Sequence, residues 1–456
     1  MTDGPLLGHT IELDVGAPAH GGSCVARHEG RVVFVRHALP GERVRAQVTE
    51  DRGGSFVRAD AVEILVAAPD RVVPPCPHSG PRRCGGCDWQ HASAEAQRRM
   101  KLEVVRDLLL RLGGIDVTDL LSEVEALPGG LLGWRTQITY AVDADGRPGL
   151  HRYRSHDVEA VDTCPLGVPG VGDSEALSRQ WPGLTGIQAV RGDDGAVTLL
   201  SHRPGPGRQA RGRRPPDRVE VVSGPAQVSH DVSGRRLAAS ASGFWQVHPH
   251  AVPSFSAALL DQLSPRPGET VLDLYAGAGA LTSALADAVG QSGRVIAIES
   301  NQQAVADAAA NLADRPWAEI RRQRIDPGAV AGLAVRPDLI VLDPPRAGAG
   351  PAVMTAILGL GARAVGYVAC DPAALARDVR AALESGWTLG AVRAFDAFPM
   401  THHVECVALL VPGSAVGAGV GAALTAGLAA GESATPSATD TQRRDGDTPS
   451  PYDSVL

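Results

Sequence analysis

Val271-Leu272-Asp273-Leu274-Tyr275-Ala276-Gly277-Ala278-Gly279 is an apolar run that passes through an acid and an aromatic residue into two closely spaced glycines. A strand feeding such a turn predicts a following helix, Leu281 to Val289, whose first amides are free to meet a ligand. Glycine lets that ligand approach the backbone. Outward from this stretch, apolar strands are predicted at Thr270 to Leu274, Arg294 to Ile298, Leu339 to Leu342 and Ala364 to Ala369, separated by Ala- and Leu-rich helical segments. This alternation from Pro267 onward is the pattern of an α/β doubly wound, Rossmann-like parallel sheet. Glu299 ends the second strand, where an acid accepts hydrogen bonds from ribose hydroxyls. No third glycine follows at dinucleotide spacing, so an adenosyl cofactor is favoured over NAD. The competing reading is an ordinary strand-to-helix turn with no ligand.

Two further segments sit at the ends of predicted strands of the same sheet: Asp343-Pro344-Pro345-Arg346 and Tyr367-Val368-Ala369-Cys370-Asp371-Pro372. A cysteine at the rim of an open parallel sheet is placed to act as a nucleophile. A lone cysteine is otherwise a small buried hydrophobe, the reading given to Cys24 and Cys406. Cys76, Cys84 and Cys87 follow the spacing C-x7-C-x2-C, and Cys164 lies far downstream. A CxxC turn holds two sulfurs on one metal or cluster, and Gly85-Gly86 lets backbone amides approach sulfur. Four thiolates would complete the shell. A reducing compartment argues against disulfides, and spacing alone leaves zinc and iron–sulfur both open.

Residues 8 to 66 carry short apolar runs at Thr10 to Val15, Arg31 to Val35, Arg43 to Val48 and Phe56 to Val66, punctuated by glycine turns. They predict a small N-terminal β-barrel of the OB type, an architecture that often binds oligonucleotides, although an SH3-like barrel without ligand shares the pattern. From Ala94 to Leu112 the spacing of Met100, Val104, Val105, Leu108, Leu109 and Leu112 predicts a half-buried helix with Ser93 as N-cap. Residues 120 to 240 mix short strands with loops, a central α+β region. The expected organisation is a barrel over 1–68, a cysteine-bearing and RNA-binding central region over 69–240, a cofactor domain over 241–412 and a disordered tail over 413–456.

The net charge of −8, from 43 basic and 51 acidic residues, argues on its face against a nucleic-acid partner. The sum hides a local concentration: Arg203, Arg208, Arg211, Arg213, Arg214 and Arg218 face one acid, Asp217, in a Pro/Gly-rich stretch read as a mobile excursion. Lys101 is the only lysine. Without a basic N-terminal region or an apolar leader, the chain is expected to be cytoplasmic. The uncharged stretch from Val407 to about Gly431 is too rich in Ala and Gly to favour a membrane, and it reads as the end of a last strand running into low-complexity sequence.

Taken together, these segments resemble the S-adenosylmethionine-dependent RNA 5-methyluridine methyltransferases over Gly8 to Val411. The run ending Phe34-Val-Arg-His-Ala-Leu-Pro40-Gly-Glu42 is similar to that family's TRAM domain. The run Cys76-Pro77 to Cys84-Gly-Gly-Cys87-Asp-Trp-Gln90, with Cys164-Pro-Leu, is similar to its 4Fe-4S site, with a longer gap before the second cysteine. Phe244-Trp-Gln246-Val, Asp273-Leu-Tyr275, Glu299, Asp343-Pro-Pro-Arg346, Cys370-Asp-Pro372 and Phe398-Pro399 through Glu405 match in the catalytic half. The resemblance implies a cofactor site lined by Gln246, Asp273, Tyr275, Gly277, Gly279, Glu299 and Asp343, with Cys370 as nucleophile and Glu405 as base. It implies a 4Fe-4S cluster on Cys76, Cys84, Cys87 and Cys164, with zinc as the alternative, and places Arg135 near the target nucleotide. Two departures stand out. Ala280 occupies a position where the family often has Asn, and Asp371 replaces an Asn beside the thiol, where an ionised acid would raise the thiol pKa.

The chemistry explains the pairing of a cysteine with an acid. Uracil C5 attacks a methyl sulfonium only after a thiolate adds at C6, and a base must then remove the C5 proton so that the cysteine is expelled. His402 and His403 are the other base candidates in the residues themselves. The expected partner is RNA, ribosomal preferred over transfer, with no membrane and no obligate protein partner. The alternatives are a non-catalytic RNA-binding or assembly factor that keeps the fold, and an RNA cytosine-C5 methyltransferase.

Overall fold

The computed structural model describes residues 5–205 and 217–413. Most of the arginine-rich stretch and almost all of the tail therefore lie outside the described residues.

Five strands, β1 (Thr10–Asp14), β2 (Cys24–His28), β3 (Arg31–Arg36), β4 (Arg43–Glu50) and β5 (Phe56–Val66), form one sheet in the order β1-β4-β5-β3-β2. Its two edges meet where Gly16 donates to the Val25 carbonyl and Val25 to that of Ala17, which closes the sheet in the OB manner. Alternate residues Val33, Val35, Val44, Ala46, Val48, Val57 and Ala59 fill the interior. The period-2 pattern of the sequence expresses this alternation directly.

Helix α1 (Ala94–Leu108) begins at Ser93, whose side chain accepts from the Ala96 amide. Its last turn widens into a π-helical turn at Leu109–Gly113, so the predicted helix is present in two parts. After β6 (Val124–Ala126), six antiparallel strands build the central sheet: β7 (Gln137–Val142), β8 (Pro148–His151), β9 (Val158–Ala160), β10 (Gly186–Arg191), β11 (Val197–Arg203) and β12 (Arg218–Ser223), in the order β12-β11-β10-β7-β8-β9. A hairpin, β13 (Gln227–Val232) and β14 (Arg235–Ser240), follows.

The C-terminal part runs α2 (Ala251–Leu263), β15 (Thr270–Leu274), α3 (Ala280–Val289), β16 (Arg294–Glu299), α4 (Gln302–Asn311), β17 (Ala318–Arg322), α5 (Pro327–Ala331), β18 (Leu339–Leu342), α6 (Pro351–Leu358), β19 (Ala364–Ala369), α7 (Pro372–Glu384), β20 (Trp387–Asp396) and β21 (Glu405–Pro412). Its eight-stranded sheet has the order β17-β16-β15-β18-β19-β21-β20-β6. Strands β15 to β19 are parallel, and β21 enters antiparallel between β19 and β20. The middle strands are buried on both faces, as in Val271–Leu274 and all of β19, which is why they read as unbroken apolar runs. Gly366 in β19 serves close packing: a Cβ there would stand 2.6 Å from Leu259 of α2. Strand β6 and the helix α1 before it belong to this layer by packing. Val105, Leu109 and Val124 share one core with Leu375, Val379 and Leu410.

No helix among the described residues is long and apolar enough to cross a membrane.

Candidate active site

The strand order fixes where the site lies. The order in which successive strands are laid down reverses between β15 and β18, and ligands of open α/β sheets bind outside the carboxyl ends of strands at such a switch point. Loops leaving β15, β16, β18 and β19 carry Tyr275 to Gly279, Glu299, Asp343 to Arg346 and Cys370 to that edge. Because β21 runs the other way, its first residue, Glu405, lies at the same edge. Ala369 pairs with Cys406, so Cys370 and Glu405 leave neighbouring strands side by side.

At the cofactor end, Tyr275 takes φ +63°, a left-handed conformation that costs a non-glycine residue energy. Gly277 (φ +55°) and Gly279 (φ +83°) continue the turn and deliver the chain into α3. A Cβ on Gly277 would meet no protein atom within 4 Å, so the surface there is open to a ligand. Glu299 is drawn back onto the backbone: Oε2 accepts from Gly277 N at 3.1 Å, and Oε1 from Ser300 N and Asn301 N at 2.6 and 2.7 Å. Asp273 accepts from the Thr282 hydroxyl at 2.5 Å through Oδ2, while its buried Oδ1 has no partner. Ala280, the position of the first departure, packs with Trp245 on Val232, Leu237 and Val252.

Electrostatics bind these groups into one set. Burial, with repulsion from Glu299, pushes Asp273 up to about 7 against the Thr282 hydrogen bond. Burial and Asp273 push Asp343 up to about 7, although Gln246 donates to it. Glu405 is held well above the carboxylate range by burial and by Asp343, with Arg346 opposing, and its Oε2 is a second buried oxygen without a partner. Burial, Glu405 and Asp343 raise the Cys370 thiol, Arg346 lowers it, and Asp371 adds a smaller upward push. Such a row of buried acids suits a ligand that brings positive charge, which S-adenosylmethionine does through its sulfonium and ammonium groups. The loop carrying Arg346 is pinned by buried Asp378 of α7, which accepts from Ala349 N at 2.8 Å and from the Tyr367 hydroxyl at 2.7 Å.

The sequence quoted Arg346 without giving it a role. Its signal was a cation just beyond two prolines at a strand end. His403 is half-buried near Arg346, with Nε2 3.5 Å from its Nη2, and desolvation of the ring keeps it well below its ordinary pKa. A neutral ring in that position is an orienting group for Arg346. Cys24 and Cys406 are core residues, as read.

Cys76, Cys84, Cys87 and Cys164 come together beside this edge. Burial and repulsion from Cys164 and Cys76 push Cys84 up to about 12, against the Gly86 amide, and Cys87 is raised by burial, Cys164 and Cys84. Donors are aimed at the sulfurs: Gly86 N at 3.4 Å from Cys84 Sγ and Gln90 Nε2 at 3.2 Å from Cys87 Sγ. The thiols lie near enough to raise one another, yet they are not drawn in around a single point as ligands of one ion. Among the described residues no three His, Cys, Asp or Glu side chains are grouped to hold a metal ion. Arg135 is buried, within electrostatic range of Cys164 and Cys87, which favour its charge, and of Arg346, which repels it. The cysteine loop is itself tied to that edge, since Asp88 N and Trp89 N donate to the Met400 carbonyl at 2.9 and 3.0 Å.

A doubly wound sheet with buried acids at the carboxyl ends of its strands, joined to an OB-type barrel, is an architecture suited to a methyltransferase that acts on RNA. Comparison with known proteins agrees. A profile described as the TRAM domain matches residues 6–62, one described as tRNA (Uracil-5-)-methyltransferase matches 334–412, and one described as protein-L-isoaspartate(D-aspartate) O-methyltransferase matches 247–326. An "Uncharacterized RNA methyltransferase" of Streptomyces avermitilis is 46% identical, with 90% of this chain and 99% of that protein covered. The 23S rRNA (uracil(1939)-C(5))-methyltransferase RlmD of Halomonas elongata is 35% identical over 88% of this chain and 89% of its own. The solved tRNA (uracil-54, C5)-methyltransferase of Pyrococcus abyssi, in complex with S-adenosyl-L-homocysteine, shares the fold with a TM-score of 0.63 at 19% identity, covering 88% of this chain and 100% of that one. The chain belongs to the RNA uracil-C5 methyltransferase family. It is an S-adenosylmethionine-dependent enzyme that acts on RNA.

Proposed function

We propose that the enzyme methylates C5 of a uridine in ribosomal RNA through a covalent adduct between Cys370 and C6 of the pyrimidine. The observation that carries this reading is the pairing of β19 with β21, which sets Cys370 beside Glu405 with Arg346 interacting with both. Cys370 Sγ adds to C6, and the C5–C6 π electrons move toward C5 and O4. S-adenosylmethionine supplies the methyl group when bound. Glu405 takes the proton from C5, the C6–S bond breaks, and the thiolate is regenerated. Gln246, Asp273, Tyr275, Gly277, Gly279, Glu299 and Asp343 hold the cofactor along the strand ends, and its positive charge favours the ionised forms of the buried acids. Arg346 favours the thiolate and the ionised Glu405. Ribosomal RNA is favoured over transfer RNA because the 35% identical relative is named for 23S rRNA, whereas the transfer-RNA enzyme shares only the fold.

Cys370→Ala is expected to abolish methyl transfer while leaving RNA binding nearly intact, and substantial residual turnover would remove the nucleophile. With Glu405→Gln, methylated RNA should stay linked to protein on a denaturing gel; absence of the linked band would count against the base. Mass mapping of ribosomal and transfer RNA from cells lacking the gene identifies the substrate.

Cys76, Cys84, Cys87 and Cys164 are proposed to hold a 4Fe-4S cluster, in which each thiolate binds its own iron. Anaerobically purified protein should be brown, with iron in the preparation. Cys87→Ala should remove both colour and iron. Colourless protein containing zinc would reverse the assignment.

A further inference from the structure

The acid beside the reacting thiol has a partner in the barrel. Asp371 is the N-cap of α7: its Oδ1 accepts from Ala374 N at 2.7 Å, and its Oδ2 lies 3.1 Å from Nε2 of His20, 351 positions away in the chain. His20 sits in the loop between β1 and β2. The His20 side chain is 41% exposed and that of Asp371 26%, which places the link at the rim of the site. The His20 ring meets that of His402 edge-on at 6.3 Å between centroids.

Residue 371 is an acid, so a carboxylate stands directly beside the reacting thiol. An ionised carboxylate next to the nucleophile disfavours the thiolate, and it does so here together with Glu405 and Asp343. The acid does stay ionised: its burial is outweighed by His20, by the Ala374 amide and by Arg377. A hydrogen bond to Oδ2 draws part of that charge away from the thiol and fixes the carboxylate on the side facing the barrel.

We propose that His20 is a positioning residue for the catalytic cysteine: donating from Nε2 to Asp371, it offsets the acid's charge at Cys370 and couples the barrel to the start of α7. The proposal rests on Cys370 being the nucleophile. It also makes His20 necessary only because residue 371 is an acid. An Asn there keeps the cap through its carbonyl and removes the charge, so His20 becomes dispensable.

The test is a double-mutant cycle in the full-length protein with H20A, H20Q, D371N and H20A/D371N. Alkylation of Cys370 by iodoacetamide is followed against pH, without RNA, from the mass of the peptide that carries it. Methyl transfer is measured in parallel. Glu405, Asp343 and Arg346 at the thiol, Arg377 and Cys406 at Asp371, and His402 at His20 are the other titratable or charged neighbours, common to every variant. H20A should move the alkylation midpoint up by about half a pH unit, about threefold less thiolate below it, with a similar fall in kcat. H20Q, whose amide N–H donates to the same oxygen, should recover most of both. D371N should move the midpoint down, and H20A/D371N should match D371N. An unchanged midpoint in H20A, or an equal shift in both backgrounds, overturns the proposal. Because the alkylation needs no RNA, turnover surviving in Cys370→Ala would strike the nucleophile assignment separately.

Discussion

At the scale of single residues, the candidate site gathers acids whose burial and mutual repulsion favour their protonated forms. Asp343 raises Glu405, both of them raise the Cys370 thiol, and Arg346 is the cation that opposes them at Glu405 and Cys370. A ligand carrying a sulfonium adds a second cation, whereas the product S-adenosylhomocysteine has lost that charge at sulfur. Cys370 alkylation at pH 7.5 is therefore expected to accelerate with a sulfonium-bearing analogue that cannot donate its methyl group, and much less with S-adenosylhomocysteine. The expected difference is about tenfold, one pH unit of thiol shift. Equal rates with the two ligands would mean that the cofactor's charge does not reach the thiol.

At the scale of elements, helix α1 grips the loop that leads from β20 to Glu405. Lys101 is fully buried, 2.5 Å from Asp396 Oδ1 and 3.0 Å from the Phe398 carbonyl, and Gln97 accepts from Met400 N at 2.7 Å. The chain's single lysine thus holds the end of β20. Lys101→Met leaves Asp396 buried without its cation and should cost roughly 3–5 kcal/mol in urea unfolding. Changing Asp396 to Leu as well should recover most of the loss. A single-mutant cost below about 1 kcal/mol would show that the pair is not a lock. Such cross-chain ties mark the limit of what the sequence made legible. Strands β15, β18 and β19 were readable because burial on both faces leaves unbroken apolar runs, and Gln137–Val142 because its alternation is intact. Strand β20 was not, because its register shifts between Leu389 and Ala391, around Gly390, and the alternation breaks there. Strand β6 has three residues, too few for any period. The motif-bearing loops proposed for the site do reach one edge of the sheet, while His20 gave no local signal, since its meaning depends on a partner that only the folded chain brings near.

At the scale of the whole molecule, the same buried acids set how stability should vary with pH. Asp273 and Asp343 titrate at about 7 in the folded protein, well above the ordinary aspartate value near 3.9, and Glu405 is shifted in the same direction. Between those limits the folded state binds more protons than the unfolded state, so unfolding releases protons and stability falls as pH rises. Their contribution is fully present below about pH 4 and is lost progressively as the pH passes through about 7. Other groups impose the opposite slope under acid, as with Asp51, held below the usual range by Arg31 and the Gly53 and Leu6 amides. The window that isolates the site is therefore pH 5.5 to 8. Melting of the cofactor-free protein should drop across that window, and Asp273→Asn should flatten the drop because a neutral amide has no proton to lose. Saturating S-adenosylmethionine should flatten it too, since a bound cation stabilises the ionised acids and binding should tighten as pH rises. A melting profile equally steep in Asp273→Asn, or unaltered by the cofactor, would show that the acids at the strand ends do not act as the electrostatic half of the cofactor site.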